Sequence, residues 1–314
     1  MHRLLRQIPA ADSGSGKSSF TLYSYIFRPL MDNIDKTDKD IWILYLSFEL
    51  SAEVIMAKLM SMYIHEAFGV IITYEDVLSL RRPLTEEGFQ YIIAAKEWMD
   101  KCEEHIAIID KPLTPDQIGV TIRRFTEQFG HYETISDTEE IYHPNNPEQY
   151  IITVIDHLGL IDSNPVKMGI DQTVKHFIYY RNIASITGVL IQQLNRNFKA
   201  VDRKLNGMEM VQLNDFADSS GPVQGCEAVI AIYDPYREKQ RQCKGYNIEE
   251  LKDRAKILQV LKHRFGKSNF IVGVSFFGEC NQWLEMPKPN LINDYTPYKR
   301  PEGEYLRYPD NEEV

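Results

Sequence analysis

Eight residues near the start constrain this chain more than any other stretch: Ala11-Asp12-Ser13-Gly14-Ser15-Gly16-Lys17-Ser18. They fit the Walker A pattern with alanine in its first slot, and that pattern has a physical logic. Backbone N–H groups must turn inward around a β-phosphate, where side chains would block the approach. A helix must follow, aiming its positive N-terminus at the same phosphate. The apolar run at residues 20–27 supplies helical character directly after the loop, which a plain Gly/Ser linker would lack. Ser13, Gly14, Ser15, Gly16, Lys17, Ser18 and Ser19 are therefore expected to cradle ATP. Lys17 can reach the β- and γ-phosphates, and the Ser18 hydroxyl can bind Mg2+. A buried strand should precede such a loop, yet residues 2–10 offer only Leu4, Leu5 and Ile8 for burial. Either this is a weak first strand or the chain starts partway through a longer protein.

The rest of the chain alternates β-branched apolar runs with helix-length periodic segments. Strands are expected at 41–47, 105–110, 151–156, 187–192, 228–233, 257–262 and 270–276. Helices are expected at 18–31, 51–68, 85–102, 114–129 and 171–182, several opening on good caps such as Ser51 and Thr114. This alternation implies an α/β fold with a mostly parallel central sheet covered on both faces. The last two strands lack a helix between them and read as an antiparallel edge hairpin turning at 266–269. The core spans residues 1–286. Within it, residues 130–149 read as an irregular polar surface insertion, and residues 287–314 as a polar tail without a core of its own.

Two strand ends carry acids. Residues 151–155 form a buried strand that runs into Asp156, the Walker B arrangement, where a carboxylate can hold Mg2+ at the carboxyl edge of the sheet. The next residue is His157 rather than the glutamate that many P-loop ATPases place there. Glu49, just past the end of the strand at 41–47, can serve instead as the base that deprotonates the attacking water. A capping or solvated glutamate ahead of Ser51 is the alternative.

In series, these segments resemble DnaB-type replicative DNA helicases. Residues 47–53 are similar to the strand-to-helix segment carrying that family's catalytic glutamate. Residues 155–160 resemble its Walker B segment, with histidine where tyrosine is common. Residues 191–196 resemble the strand end whose glutamine, here Gln193, senses the γ-phosphate. Asp218 to Gly221 with Gln224 resembles the segment before the fifth core strand, and residues 262–266 resemble the family's lysine and arginine finger. The resemblance runs from about residue 10 to 283. It implies a RecA-like fold and a homo-hexameric ring with ATP at subunit interfaces. Lys262 and Arg264 would act in trans, single-stranded DNA would occupy the channel, and primase or other replisome proteins would be partners. The chain shows neither the family's N-terminal helical collar nor a clear linker helix, so a trimmed, phage-like relative is expected.

Composition adds limits. The 43% hydrophobic and 25% charged residues suit a globular enzyme. No apolar run approaches the ~20 residues needed to span a bilayer, and no signal peptide is evident, so a cytoplasmic protein is expected. Cys102, Cys226, Cys243 and Cys280 lack metal-ligand spacing and read as free thiols, buried or partly buried. A net charge of −10 gives no general attraction to nucleic acid. Contact must come from local cations, and Lys199, Arg203 and Lys204 in the loop at 196–212 are the leading choice, with Lys167 and Lys175 behind them. That loop could instead be a solvated surface segment, and Lys262 and Arg264 ordinary hairpin charges. The rival functions are a RecA-like DNA-dependent ATPase that does not unwind, such as a recombination mediator or helicase loader, and an assembly module that uses ATP as subunit glue. A packaging motor fits less well, because its catalytic acid would stand where His157 does.

Overall fold

The computed structural model describes residues 7–11, 14–137, 139–195, 210–216 and 221–308. Its strands in chain order are β1 (Gln7–Ala11), β2 (Asp40–Ser47), β3 (Val70–Ile71), β4 (Ile106–Ile109), β5 (Gly130–Ser136), β6 (Glu139–Pro144), β7 (Gln149–Asp156) and β8 (Thr187–Leu190). They continue as β9 (Gln192–Gln193), β10 (Ala228–Tyr233), β11 (Gln242–Cys243), β12 (Tyr246–Asn247), β13 (Ala255–His263), β14 (Phe270–Phe277), β15 (Gln282–Glu285) and β16 (Glu304–Tyr305). The main helices are α1 (Lys17–Thr21), α2 (Arg28–Asn33), α3 (Ala52–Phe68), α4 (Tyr74–Val77), α5 (Glu86–His105), α6 (Pro115–Glu127) and α7 (Val166–Ala184). A π-helical stretch, Leu22–Phe27, joins α1 to α2.

Ten strands build one sheet, ordered β15-β14-β13-β10-β1-β8-β7-β2-β4, with β9 also paired to β1. From β10 to β4 the pairing is parallel. From β10 outward through β13, β14 and β15 it is antiparallel. The expected α/β architecture is thus present. The antiparallel edge is larger than the expected hairpin, because β15 adds a strand after the tight turn at 278–281.

Burial follows the period-two geometry of strands. On β2, Leu44 and Leu46 face one core layer with Ile118 and Ile122 of α6 and Val174 and Phe177 of α7. Ile43 and Tyr45 face the other, with Ile55 and Leu59 of α3. Strands buried on both faces read as continuous apolar runs, which is why β2 and β7 are plain in the sequence. Helix starts are set by side-chain caps: Ser51 accepts from Val54 N–H, Thr85 from Gly88 N–H, and Thr114 forms a reciprocal capping box with Gln117.

Three expectations need correction. Residues 130–149 are not irregular: β5 and β6 form an antiparallel hairpin, and Gln149 already begins β7. Most of the ribbon is exposed, and Tyr142 is its buried side chain on β6. The ribbon is tied to α6 by Arg123, which pairs with Glu140 at 2.9 Å and lies over the Tyr132 ring. His105 ends α5 and is not part of the strand that follows. The tail does join a core: β16 pairs with β3, and Leu306 and Tyr308 are buried with Ile64, Val70 and Ile72. All four cysteines are buried and none forms a disulfide. Among the described residues no helix is long and apolar enough to cross a membrane.

Candidate active site

The weak first strand lies at the middle of the sheet. β1 pairs with β10 along its whole length, from Gln7↔Ala228 to Ala11↔Ile232. On its other side the pairing is broken: Gln7 pairs with Val189, and pairing resumes only at Ala10↔Gln192. Pro9 sits in the gap. It has no N–H to offer the ladder, which accounts for the division of the neighbouring strand into β8 and β9. β1 then delivers the chain into the phosphate loop.

In that loop Gly14 and Gly16 both take left-handed backbone angles, φ 70° and 92°. Only glycine adopts these without strain. Gly16 is also the N-cap of α1, with no side-chain cap there, so the helix begins directly at the phosphate loop. The loop is wedged between two side chains that the sequence reading missed. A Cβ on Gly14 would lie 2.7 Å from the Arg237 guanidinium, and one on Gly16 would lie 2.9 Å from the Trp283 ring. Trp283 stands on β15, stacked on Phe276 at 4.5 Å and edge-on to Phe20 at 5.3 Å. Past Arg237 opens a cavity of about 560 Å³ lined also by Tyr236, Gln240 and Arg241. Lys17 and Ser15 are buried. The Ser19 hydroxyl turns away and donates to Asn281 at 2.9 Å, so only its backbone remains for phosphate. Ser13 lies outside the described residues.

Four strand ends meet beside the loop. Ser47 of β2 is in register with Asp156 of β7, and Gln193 of β9 with Ala11 of β1. Asp156 is fully buried. Burial pushes its carboxyl above the usual carboxylate range, opposed by the Ser18 and Tyr45 hydroxyls, while Glu49 raises it further. Tyr45 donates to Oδ2 at 2.8 Å. Oδ1 is buried and has no hydrogen-bond partner. A buried carboxylate oxygen left unpaired beside the Ser18 hydroxyl is the donor set a hard cation requires, so these residues fit Mg2+. Among the described residues no cluster of His, Cys, Asp and Glu offers another metal site.

Glu49 projects from the same edge, with its side chain 52% exposed, and its Oε2 lies 4.0 Å from His157 Nε2. His157 is only 12% exposed. Burial holds its imidazole below the ordinary histidine range; Asp156 and Glu49 oppose the shift, and Lys17 reinforces it. Lys17, Ser18, Glu49, Asp156 and Gln193 are therefore brought together.

Lys262 and Arg264 are not. Lys262 pairs with Val229 near the start of β10, whereas the phosphate loop leaves the sheet level with Ile232 and Leu258. Arg264 lies six residues beyond Leu258, roughly 20 Å of extended chain toward the opposite edge. The Lys262 ammonium donates to the Val223 and Gln224 carbonyls at 2.8 and 3.1 Å, while the Arg264 side chain is exposed. Lys199, Arg203 and Lys204 lie outside the described residues, as do Asp218 to Ser220. Lys167 and Lys175 are exposed on α7.

No protein-family profile and no curated protein matches the chain. Solved structures do. One of them, described as an ATPase domain, superposes with a TM-score of 0.67 at 18% identity, covering 91% of this chain and 86% of that one. A DnaB-like replicative helicase, described with its interactions with primase, gives 0.65 at 18% identity over 91% of this chain. The present chain spans 58% of that protein's length. The chain therefore has the RecA-like fold of DnaB-like replicative helicase ATPase domains.

Proposed function

We propose that this chain is the ATP-hydrolysing motor of a DnaB-type helicase, moving along single-stranded DNA and unwinding duplex as a ring, with ATP between subunits. The observation that supports this best is the division of the site. Lys17, Ser18, Glu49, Asp156 and Gln193 share one edge of the sheet. Arg264 sits at the other edge, with an exposed guanidinium. One subunit alone cannot bring both to one phosphate, whereas a neighbour can.

Within a subunit, the loop N–H groups and Lys17 bind the phosphates. Ser18 and Asp156 would hold Mg2+, which when bound would supply charge neutralisation at the phosphates. Glu49 takes the proton from the attacking water, and Gln193 reports whether the γ-phosphate is present. The neighbour's Arg264 offsets charge that develops in transfer, a contribution worth ~10³-fold or more in related chemistry. Lys262 braces the finger by holding the carbonyls at 223 and 224. The channel cations Lys199, Arg203 and Lys204 would track phosphates without reading sequence. A primase contact belongs to the same reading.

The test is a forked-DNA strand-displacement assay with ATP, run beside sizing of the particle. Displacement by a ring-sized particle is expected. ATP hydrolysis stimulated by single-stranded DNA without displacement would favour the non-unwinding DNA-dependent ATPase.

A further inference from the structure

Glu49 and His157 reach the site from neighbouring strands. Phe48 N–H donates to the Asp156 carbonyl at 2.7 Å, which locks the end of β2 to the end of β7. That bond fixes the two backbones from which Glu49 and His157 depart. The imidazole has a defined tautomer. Gly159 N–H donates to Nδ1 at 3.2 Å, so Nδ1 carries the lone pair and a neutral ring must carry its proton on Nε2. Nε2 is the atom that faces Glu49, 4.0 Å from Oε2. The titratable groups facing the ring are Asp156 from its own strand, Glu49 from the end of β2 and Lys17 from α1.

We propose that His157 is the positioning residue of the catalytic base: its Nε2–H holds the Glu49 carboxylate in line with the attacking water. This rests on the reading of Glu49 as that base. An exposed glutamate on a strand terminus has several rotamers, and only one aims a lone pair at the water. A fixed donor on one carboxylate oxygen selects that rotamer and leaves the other oxygen for the proton. Rotation of the half-exposed Glu49 side chain by about 1 Å converts the present separation into a hydrogen bond, and such bonds commonly tighten when substrate binds. The histidine suits this role by geometry: it is largely buried, and the Gly159 N–H that anchors Nδ1 leaves Nε2 as the ring atom facing Glu49.

Two substitutions separate positioning from packing. His157→Asn keeps an acceptor near Nδ1 for Gly159 N–H but loses the donor toward Glu49. His157→Gln keeps a donor near Nε2. Steady-state ATP hydrolysis is measured for both, with affinity for a fluorescent ATP analogue and with Glu49→Gln as reference. The expected result is a fall in kcat of about 10-fold or more for His157→Asn, with KM and analogue affinity within about twofold of native, and kcat within about threefold of native for His157→Gln. Equal kcat in the Asn and Gln variants, or a loss expressed in KM, would overturn the proposal. If His157→Asn does not fold, His157→Gln decides alone, and a 10-fold loss of its kcat overturns the proposal. Should Glu49→Gln itself hydrolyse ATP at the native rate, the base has been misassigned and the proposal falls with it. A dead Glu49→Gln beside a fully active His157→Asn removes only the positioning role.

Discussion

The Tyr45 hydroxyl donates to Asp156 Oδ2 at 2.8 Å, from one central strand to the next, inside the sheet. It leaves Oδ1 of the same carboxylate as the unpaired atom beside Ser18. The tyrosine thus fixes which oxygen is free, and it favours the charged form of a carboxyl that burial otherwise disfavours.

Tyr45→Phe removes that donor and little volume. The Asp156 carboxyl should then rise further above its usual range. A carboxyl raised in this way stays protonated to higher pH and binds a cation only above that pH. The Mg2+ concentration for half-maximal hydrolysis should increase several-fold, by more at pH 6 than at pH 8. Titration of Mg2+ at the two pH values measures this; an unchanged requirement at both would separate Tyr45 from the metal site.

Gly16→Ala should weaken nucleotide binding strongly. The backbone there is left-handed, which costs an alanine about 1–2 kcal/mol, and its Cβ would lie 2.9 Å from the Trp283 ring. The ring and the loop cannot both keep their places. ATP-analogue affinity should fall more than 10-fold, while the far-ultraviolet dichroism stays native. Native affinity would mean that the loop re-forms around Trp283 at no cost.

Most of the sheet was legible in the sequence because its central strands are buried on both faces. Residues 41–47 and 151–156 read as unbroken apolar runs and fall within β2 and β7. β1 was faint for two local reasons, its shortness and Pro9, and only its partners β10 and β8 reveal that it is central. β15 was missed because Gln282–Glu285 holds four residues, too short a run to read as a strand, of which only Trp283 is buried. Arg237 and Trp283 could not be read as neighbours of the phosphate loop, since each reaches it from more than 200 positions away in the chain. The acids at strand ends were visible; Tyr45, an aromatic in a core strand, gave no sign of its hydroxyl's partner.

Leu306→Ala tests whether the C-terminal segment supports the fold. Leu306 is buried against α3 and α5 in a small cluster apart from the main cores. Its truncation should cost about 2 kcal/mol, the low end for a buried leucine. A denaturant midpoint lowered at unchanged slope would show it, with ATP affinity unaffected. No loss of stability would mean that residues 303–308 merely cover the surface.

The central claim is that one complete site needs two chains, and mixing tests it directly. Glu49→Gln and Arg264→Ala subunits, each inactive alone, are combined and ATP hydrolysis is followed as a function of total protein. At interfaces where an intact Glu49 meets an intact Arg264 from the neighbour, hydrolysis should return, rising steeply with protein concentration. Mixed particles that form and yet hydrolyse no ATP would contradict the shared site, as would an Arg264→Ala protein that is fully active by itself.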